Sequence, residues 1–169
     1  MSRPRAVAGS LLFLIVEPGV VAGLVPWLVT GWEVAERLPW PLRLLGGILI
    51  VAGVAVLLVA FAGFAFEGRG TPAPIAPTES LVVGGVYRHV RNPMYVAVTA
   101  ILVGQAVLLG AAWLVLYAAA FAAVTASFVH WYEEPVLRGR YGEAFDEYRR
   151  AVPGWYPRLR PWRGTIGSE

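Results

Sequence analysis

The chain has 169 residues, of which 57% are hydrophobic and 15% charged, and its formal net charge at pH 7 is +3. The length corresponds to one domain, and the small net charge, carried by arginines beside apolar segments, argues against binding of nucleic acid. Cysteine is absent, which excludes disulfides and thiolate metal sites, and the two histidines do not form a metal site on their own. We therefore predict no metal and no nucleic-acid partner.

Two long segments, residues 44–66 and 94–129, contain no charged side chain. About 20 apolar residues cross the hydrocarbon core of a bilayer, so the second segment has to turn back on itself. The apolar first stretch lacks a signal-peptide cleavage site and is interpreted as a retained helix. The pattern predicts four transmembrane helices, at residues 10–31, 44–66, 94–109 and 111–130, with a turn near Gly110. The predicted fold is an all-α, polytopic integral membrane helical bundle, a single membrane domain over residues 1–169.

The arginines lie mainly on one predicted side of the membrane. Arg37 and Arg43 fall on the outer side, whereas the others precede the first span or follow the second and the fourth. The positive-inside rule therefore predicts a multi-pass protein with both termini and the connector (residues 67–93) in the cytoplasm. An interfacial belt at the inner boundary is indicated by three tryptophans, Trp131, Trp155 and Trp162.

Apolar side chains recur at helical spacing beyond the fourth span, at Leu137, Tyr141, Phe145, Tyr148 and Val152. This spacing predicts one amphipathic helix within a cytoplasmic C-terminal interfacial segment (residues 133–163). The helix would lie along the inner membrane surface or close over the connector. Three prolines in residues 70–77 of the connector favour an extended path, which would suit one wall of a cleft.

The segment LVVGGVYRHVRNPMY, residues 81–95, gathers polar and aromatic side chains where the chain enters the third predicted span. Asn92 and Pro93 are typical of a helix start, since asparagine is a good N-cap and proline is favoured at the first helical position. The free N–H groups of that start, beside Arg91, would suit a carboxylate or a phosphate. The alternative is that Asn92 only caps the helix and Arg91 reaches lipid headgroups.

Aromatic side chains gather near the same boundary, at Tyr87, Tyr95, Trp131 and Tyr132. Their rings would attract a cation such as a sulfonium, or they form an ordinary aromatic belt. A lone acid inside the first predicted span, Glu17, is either functional or reached by water near the cytoplasmic end.

Two adjacent acids, Glu133 and Glu134, directly follow the last apolar segment. They would bind hydroxyl or amino groups of a ligand, or act as a base. Alternatively, they form ion pairs with Arg88, Arg91 or Arg138. Charge alone favours neither interpretation.

The segments GTPAPIAPTESLVVGGVYRHVRNPMY and YEEPVLRGRYGEAFDEYRRAVPGWYP together resemble the isoprenylcysteine carboxyl methyltransferase family, within the wider phospholipid methyltransferase-like membrane group. The resemblance covers about residues 70–160, whereas the first two spans match only in hydropathy. It implies an S-adenosylmethionine-dependent methyltransferase of the bacterial inner membrane. The donor would bind at the cytoplasmic end of the bundle, beneath the C-terminal segment, and leave as S-adenosylhomocysteine.

Carried over residue by residue, the resemblance places cofactor contacts at Leu81, Val82, Tyr87, Asn92, Pro93, Met94, Tyr95 and Glu133, and adds Arg91 and Glu134 as catalytic candidates. It implies a lipophilic small-molecule or prenylated acceptor that arrives among membrane lipids, with O-methylation of a carboxylate favoured. The alternatives are N- or S-methylation, or a non-catalytic lipid-binding membrane module. Val129 stands where the prenylcysteine enzymes have an arginine, and Asn92 where they have a histidine. Bacterial relatives often have asparagine at the position of Asn92. The departure at Val129 bears on the prenylcysteine carboxylate substrate and not on the donor.

Overall fold

The computed structural model describes residues 16, 18–34, 38–66 and 81–164, and within these ranges the secondary structure is helical with no strand. The elements are a first π segment (Val20–Leu24), α1 (Val25–Thr30), α2 (Trp40–Phe66), a 3-10 turn (Gly85–Arg88), α3 (Pro93–Leu109), α4 (Ala112–Phe128), a second π segment (Val129–Glu133), α5 (Glu134–Tyr141) and α6 (Glu143–Ala151). The predicted all-α class is confirmed.

Two helical stretches, Trp40–Gly63 and Ala112–Tyr141, are long and apolar enough to cross a membrane, by length and composition. The stretches Val20–Thr30 and Pro93–Leu109 are apolar but shorter. Large apolar side chains on the long helices, such as Val51, Leu116 and Val124, are exposed, which suits contact with lipid tails. The four-span topology stays a prediction. Residues 10–15 of the first predicted span, Glu17 and the proline-rich stretch 70–77 lie outside the described residues.

The boundaries of the second and third predicted spans follow local sequence signals. Helix α2 begins at Trp40, ahead of the predicted start at residue 44, because Pro41 is tolerated in a first helical turn and Arg43 is helical despite its charge. Helix α3 begins at Pro93 and ends before Gly110, whose φ of 69° is the left-handed conformation that glycine favours. The predicted turn near Gly110 is confirmed.

Helices α2 and α3 make the closest contact in the bundle, along a line of small residues. A β-carbon added to Gly46 would lie 2.7 Å from the carbonyl oxygen of Gly104, and one added to Gly53 would lie 2.8 Å from the carbonyl oxygen of Ala97. Seven residues beyond Gly53, Ala60 is fully buried. Small residues let helix backbones approach each other closely, which is a common basis for helix association in membranes.

The first helical segment is joined to the bundle by two side chains from neighbouring helices. Gln105 of α3 donates a hydrogen bond to the carbonyl oxygen of Ala22 over 2.5 Å, and the hydroxyl of Tyr117 in α4 donates to the carbonyl oxygen of Val21 over 3.1 Å. Both acceptors lie in the first π segment, which departs from the regular α-helical hydrogen-bond pattern. In an apolar environment such backbone groups need a partner within the protein.

The prediction of a single amphipathic C-terminal helix is wrong, because the chain breaks at Gly142 into α5 and α6. Gly142 has φ 54° and ψ −128°, a conformation that residues with a side chain rarely adopt. The apolar face persists across the break: Phe145, Tyr148 and Val152 are buried, and against them pack Leu81, Val83, Leu137 and Tyr141. Since Leu81 and Val83 belong to the connector, the C-terminal segment closes over the connector, one of the two predicted placements.

Candidate functional site

The connector and the C-terminal segment meet at the end of the bundle where α3 begins. The backbone N–H of Arg91 donates to the carbonyl oxygen of Pro153 over 2.9 Å, and that of Asn92 to the carbonyl oxygen of Gly154 over 3.2 Å. These bonds join residues that are far apart in sequence. They bring two of the segments that carry the sequence-predicted site residues into direct contact.

The second π segment brings the acidic pair to this junction. Glu133 is its last residue and Glu134 is the first residue of α5. A π turn holds an extra residue compared with an α turn, so it rotates the residues after it relative to the α4 face, and such turns are frequent at functional sites. The hydroxyl of Tyr95, in the first turn of α3, donates to Glu133 over 3.3 Å. Glu134 lies beside Arg91.

Glu134 is the centre of an ion-pair network. One of its carboxylate oxygens lies 2.6 Å from Nη1 of Arg91, and the other lies 3.0 Å from Nε of Arg149. The side chains of Arg91 and Glu134 are only 13% and 14% exposed. The Nε of Arg91 also donates to the carbonyl oxygen of Val152 over 2.9 Å. This network links the connector, α5 and α6.

The sequence analysis named three arginines as possible ion-pair partners of the two acids, and the structure shows which of them pairs with Glu134. Arg91 is the one that pairs with Glu134. Arg138 instead pairs with Asp146 over 2.8 Å, and both of those side chains are largely exposed. Arg88 is exposed and forms no ion pair with a described residue. The structural-pairing interpretation therefore holds for Glu134.

Asn92 occupies the N-cap position of α3, as predicted, and its side chain makes no capping hydrogen bond with the described residues. The residue is 9% exposed, and its amide nitrogen Nδ2 is buried with no hydrogen-bond partner among the described residues. A buried donor without a partner costs about 1–3 kcal/mol, and in native proteins such a group commonly faces a ligand or water. The Asn92 amide is therefore a donor available to a ligand.

The ring of Tyr95, whose hydroxyl contacts Glu133, has a second aromatic ring beside it. The ring of Tyr95 stacks on that of Trp155, with ring centroids 6.3 Å apart and planes inclined by 30°. Since the Tyr95 hydroxyl bonds Glu133, two aromatic faces and one carboxylate lie together. Aromatic faces and carboxylates both attract organic cations. Tyr132 instead stacks on Phe128 and is exposed, as a belt residue would be.

The remaining predicted contacts lie in packed positions within the connector and at the start of α3. Val82 and Tyr87 are buried together with Ala60, and Met94 packs against them. Pro93 is fully buried at the start of α3. Leu81 packs within the C-terminal apolar cluster. Contact between these residues and a cofactor stays a prediction.

A cavity of about 220 Å³ opens beside the connector. It is lined by Val59, Ala62 and Gly63 of α2 and by Gly84, Gly85, Val86 and Tyr87 of the connector. Nearly all of this lining is apolar, so the cavity suits a hydrocarbon group better than a charged one.

Sequence reasoning missed three residues that complete the site. Arg149 supplies the second ion pair of Glu134, and Trp155 had been assigned to an interfacial belt. Gly154 allows the close approach of the C-terminal segment, because a β-carbon there would lie 3.2 Å from Nη2 of Arg91 and 3.4 Å from Nδ2 of Asn92. The sequence signal was the Pro-Gly-Trp run that ends the amphipathic pattern, where a break in helix exposes backbone carbonyls to the connector.

Tyr148 of α6 binds the connector by a hydrogen bond. Its buried hydroxyl donates to the carbonyl oxygen of Tyr87 over 2.7 Å. Burial raises the pKa of the Tyr148 hydroxyl well above its usual value near 10.0, and the charge of Arg91 lowers the pKa to a smaller extent. The hydroxyl thus stays protonated in the folded protein at a pH where the unfolded chain ionises. It stabilises the fold fully below about pH 10 and progressively less above it.

We therefore expect the unfolding temperature of the parent to fall more steeply above about pH 10 than that of a Tyr148→Phe variant. At neutral pH the variant should be less stable by about 1 kcal/mol, because one buried hydrogen bond is lost. Thermal unfolding in detergent across the alkaline range measures both effects, with Tyr156→Phe as a control for an exposed hydroxyl. Parallel pH profiles for the parent and Tyr148→Phe would contradict this role.

A family model described as phospholipid methyltransferase matches residues 42–144. The matched region contains the connector, α3, α4 and both acids of the site, and it ends before Arg149 and Trp155. A search of curated proteins gave no significant match. The family implies a membrane methyltransferase that acts on lipid-like substrates, and its members generally use S-adenosylmethionine. Because the match covers more than half of the chain and agrees with the resemblance found in the sequence, the chain belongs to the phospholipid methyltransferase family.

Proposed function

We propose that the protein is an S-adenosylmethionine-dependent methyltransferase of the bacterial inner membrane that acts on a lipophilic acceptor. The observation that carries the proposal is the cluster of Glu133, Tyr95 and Trp155. It lies at the same end of the bundle as the buried Nδ2 of Asn92, which has no hydrogen-bond partner among the residues that the structure describes. A carboxylate, two aromatic rings and an amide N–H donor suit a ligand that is a zwitterion and carries a further positive charge.

The proposed donor site matches the chemistry of the cofactor group by group. S-adenosylmethionine, when bound, supplies an electrophilic methyl group on a positively charged sulfur. The carboxylate of Glu133 and the faces of Tyr95 and Trp155 would attract its cationic groups. The Nδ2 of Asn92 would donate to one of its oxygen or nitrogen acceptors, which removes the cost of a buried unpaired donor. The other proposed contacts are those implied by the resemblance, Leu81, Val82, Tyr87, Pro93 and Met94.

Arg91 and Glu134 are proposed as positioning residues. The ion pairs at 2.6 and 3.0 Å engage both carboxylate oxygens of Glu134, so taking up a proton there would weaken the network that joins the connector to α5 and α6. An acceptor that needs no base fits this arrangement best. A carboxylate is already ionised at neutral pH, which supports O-methylation over N- or S-methylation.

The proposed topology has four spans, with both termini and the site in the cytoplasm, in a single domain over residues 1–169. Helix α3 is short for a membrane span, but it packs against α2 along the contact that runs from Gly46 to Ala60. A helix docked in this way on a membrane-length helix would lie at the same depth in the bilayer. The apolar cavity between α2 and the connector is proposed to receive the hydrocarbon part of the acceptor.

Donor binding is testable with S-adenosylhomocysteine. At 100 times its dissociation constant the ligand should stabilise the purified protein by about 2.7 kcal/mol. Trp155→Ala should lose most of this stabilisation, since the ring stacked on Tyr95 is removed. Tyr132→Ala, which removes an exposed ring at the same boundary, should keep it. Thermal unfolding in detergent with and without ligand measures all three proteins.

Two outcomes would contradict the donor site. If S-adenosylhomocysteine does not raise the unfolding temperature of the parent, a non-catalytic lipid-binding module would be favoured. An equal shift in the parent and Trp155→Ala would remove Trp155 from the site. Where the parent shifts as expected, incubation with labelled donor and a native lipid extract identifies the acceptor by its methylated product.

A further inference from the structure

The segment at residues 153–163 forms a strap across the connector, fixed through its backbone. Its first two carbonyl groups accept the hydrogen bonds from the connector described above. Further along, the N–H of Arg158 donates to the carbonyl oxygen of His89 over 2.9 Å. The N–H of Trp162 donates to the carbonyl oxygen of Arg88 over 3.0 Å. The strap is therefore held along its length.

The exposed side chains of the strap include apolar groups and arginines, and no acidic side chain in the strap balances the positive charge. Leu159 is 98% exposed and Tyr156 is 71% exposed, although both are large and partly or wholly apolar. Arg160 and Arg163 are exposed and form no ion pair with any residue that the structure describes. The strap contains no acidic residue. An apolar tip flanked by unpaired arginines is typical of a surface that meets a membrane.

The position of the strap favours lipid over a protein partner. The strap is bonded to residues 91 and 92, which directly precede α3. It therefore lies at the end of the bundle where the apolar helix α3 begins. In the proposed topology an exposed leucine and tyrosine at that level would meet the acyl-chain boundary, and the arginines would meet phosphate groups.

We propose that the strap is a lipid-recognition surface that binds anionic headgroups. Arg160 and Arg163 would attract the headgroups, while Leu159 and Tyr156 enter the boundary region of the bilayer. The four side chains of this surface are not those of the proposed donor site, although Trp155 of the same strap belongs to that site, and lipid binding requires no methyl transfer. Because the attraction is electrostatic and exposed, it should weaken as salt is added.

The natural absence of cysteine allows a direct test on the full chain. A Leu159→Cys variant labelled with an environment-sensitive fluorophore reports on one position without background. In nanodiscs that contain phosphatidylglycerol, the emission should shift to shorter wavelength relative to nanodiscs of phosphatidylcholine alone. High salt should reverse most of that shift. The double change Arg160→Gln and Arg163→Gln should abolish most of it as well.

The matched control removes two exposed arginines outside the strap, by Arg140→Gln and Arg150→Gln, and should keep the full shift. The proposal is overturned if the label emits alike in the two kinds of nanodisc, or if both double variants respond equally. Free glycerol phosphate added to neutral nanodiscs should not move the emission, and a shift there would assign the surface to soluble anions instead. None of these readings depends on S-adenosylhomocysteine, so failure here and failure of the donor site are distinguishable.

Discussion

A Glu133→Gln variant is expected to bind S-adenosylhomocysteine at least about tenfold more weakly than the parent while unfolding at nearly the same temperature, because one charge that attracts the ligand is lost and the fold is not. The hydrogen bond that the Tyr95 hydroxyl donates to Glu133 is long, at 3.3 Å. A tenfold loss corresponds to about 1.4 kcal/mol, which is modest for an interaction between a carboxylate and an organic cation. Calorimetry in detergent measures the affinity.

The same substitution at the next residue should mainly lower the unfolding temperature, whereas the change at Glu133 should mainly lower the affinity for the ligand. Glu134→Gln leaves Arg91 nearly buried without its partner and releases Arg149. Breaking a buried ion pair from one side costs about 3–5 kcal/mol, and we expect the lower end of this range because Arg149 is partly exposed. The variant should unfold at a markedly lower temperature. Any loss of ligand binding should follow from the loosened connector.

An exposed acid on α6, Glu147, provides the control, since Glu147→Gln should change neither affinity nor stability. Equal losses of stability in the Glu133 and Glu134 variants would mean that the adjacent acids share one structural role. Undiminished affinity in the Glu133 variant would remove Glu133 from the proposed site.

Patterns among residues that are close together in the sequence were enough to predict much of the bundle. The uncharged run ending at residue 129 exceeded one membrane crossing, which correctly implied a turn, and Gly110 was the residue able to make it. Asn92 and Pro93 marked the start of α3 correctly, since the backbone preferences of these residues operate within one turn. The proximity of the connector to the C-terminal segment was expected from the resemblance.

Features that depend on tertiary contacts were not predictable from the sequence. The apolar spacing from Leu137 to Val152 continues through Gly142, so periodicity alone could not reveal that the helix breaks there. Arginine side chains are long, and which one reaches Glu134 depends on how α5 and α6 pack against the connector. For the same reason Trp155 was indistinguishable from a belt residue until its ring was placed on Tyr95.

The packing of α2 on α3 supports the site from a distance, because α3 carries Asn92 and Tyr95 at its beginning. Gly46→Ala is expected to destabilise the protein strongly, whereas Gly47→Ala is expected to be neutral or slightly stabilising. A β-carbon at Gly46 would lie 2.7 Å from the carbonyl oxygen of Gly104 and from the backbone nitrogen of Leu108. Backbone atoms have no rotamer to change, so the helices would have to separate. Inserting a methyl group into such a contact costs about 1–3 kcal/mol.

Gly47 is the matched control because a β-carbon there meets nothing within 4 Å. Both changes sit in the same turn of α2 and gain the same helix propensity, up to about 1 kcal/mol for glycine to alanine. The difference between their unfolding temperatures in detergent therefore isolates the cost of the close contact. Identical unfolding of the two variants would mean that α2 and α3 do not approach through Gly46. A less stable Gly46 variant that also binds S-adenosylhomocysteine more weakly would indicate that this contact sets the position of the donor site as well as the stability of the bundle.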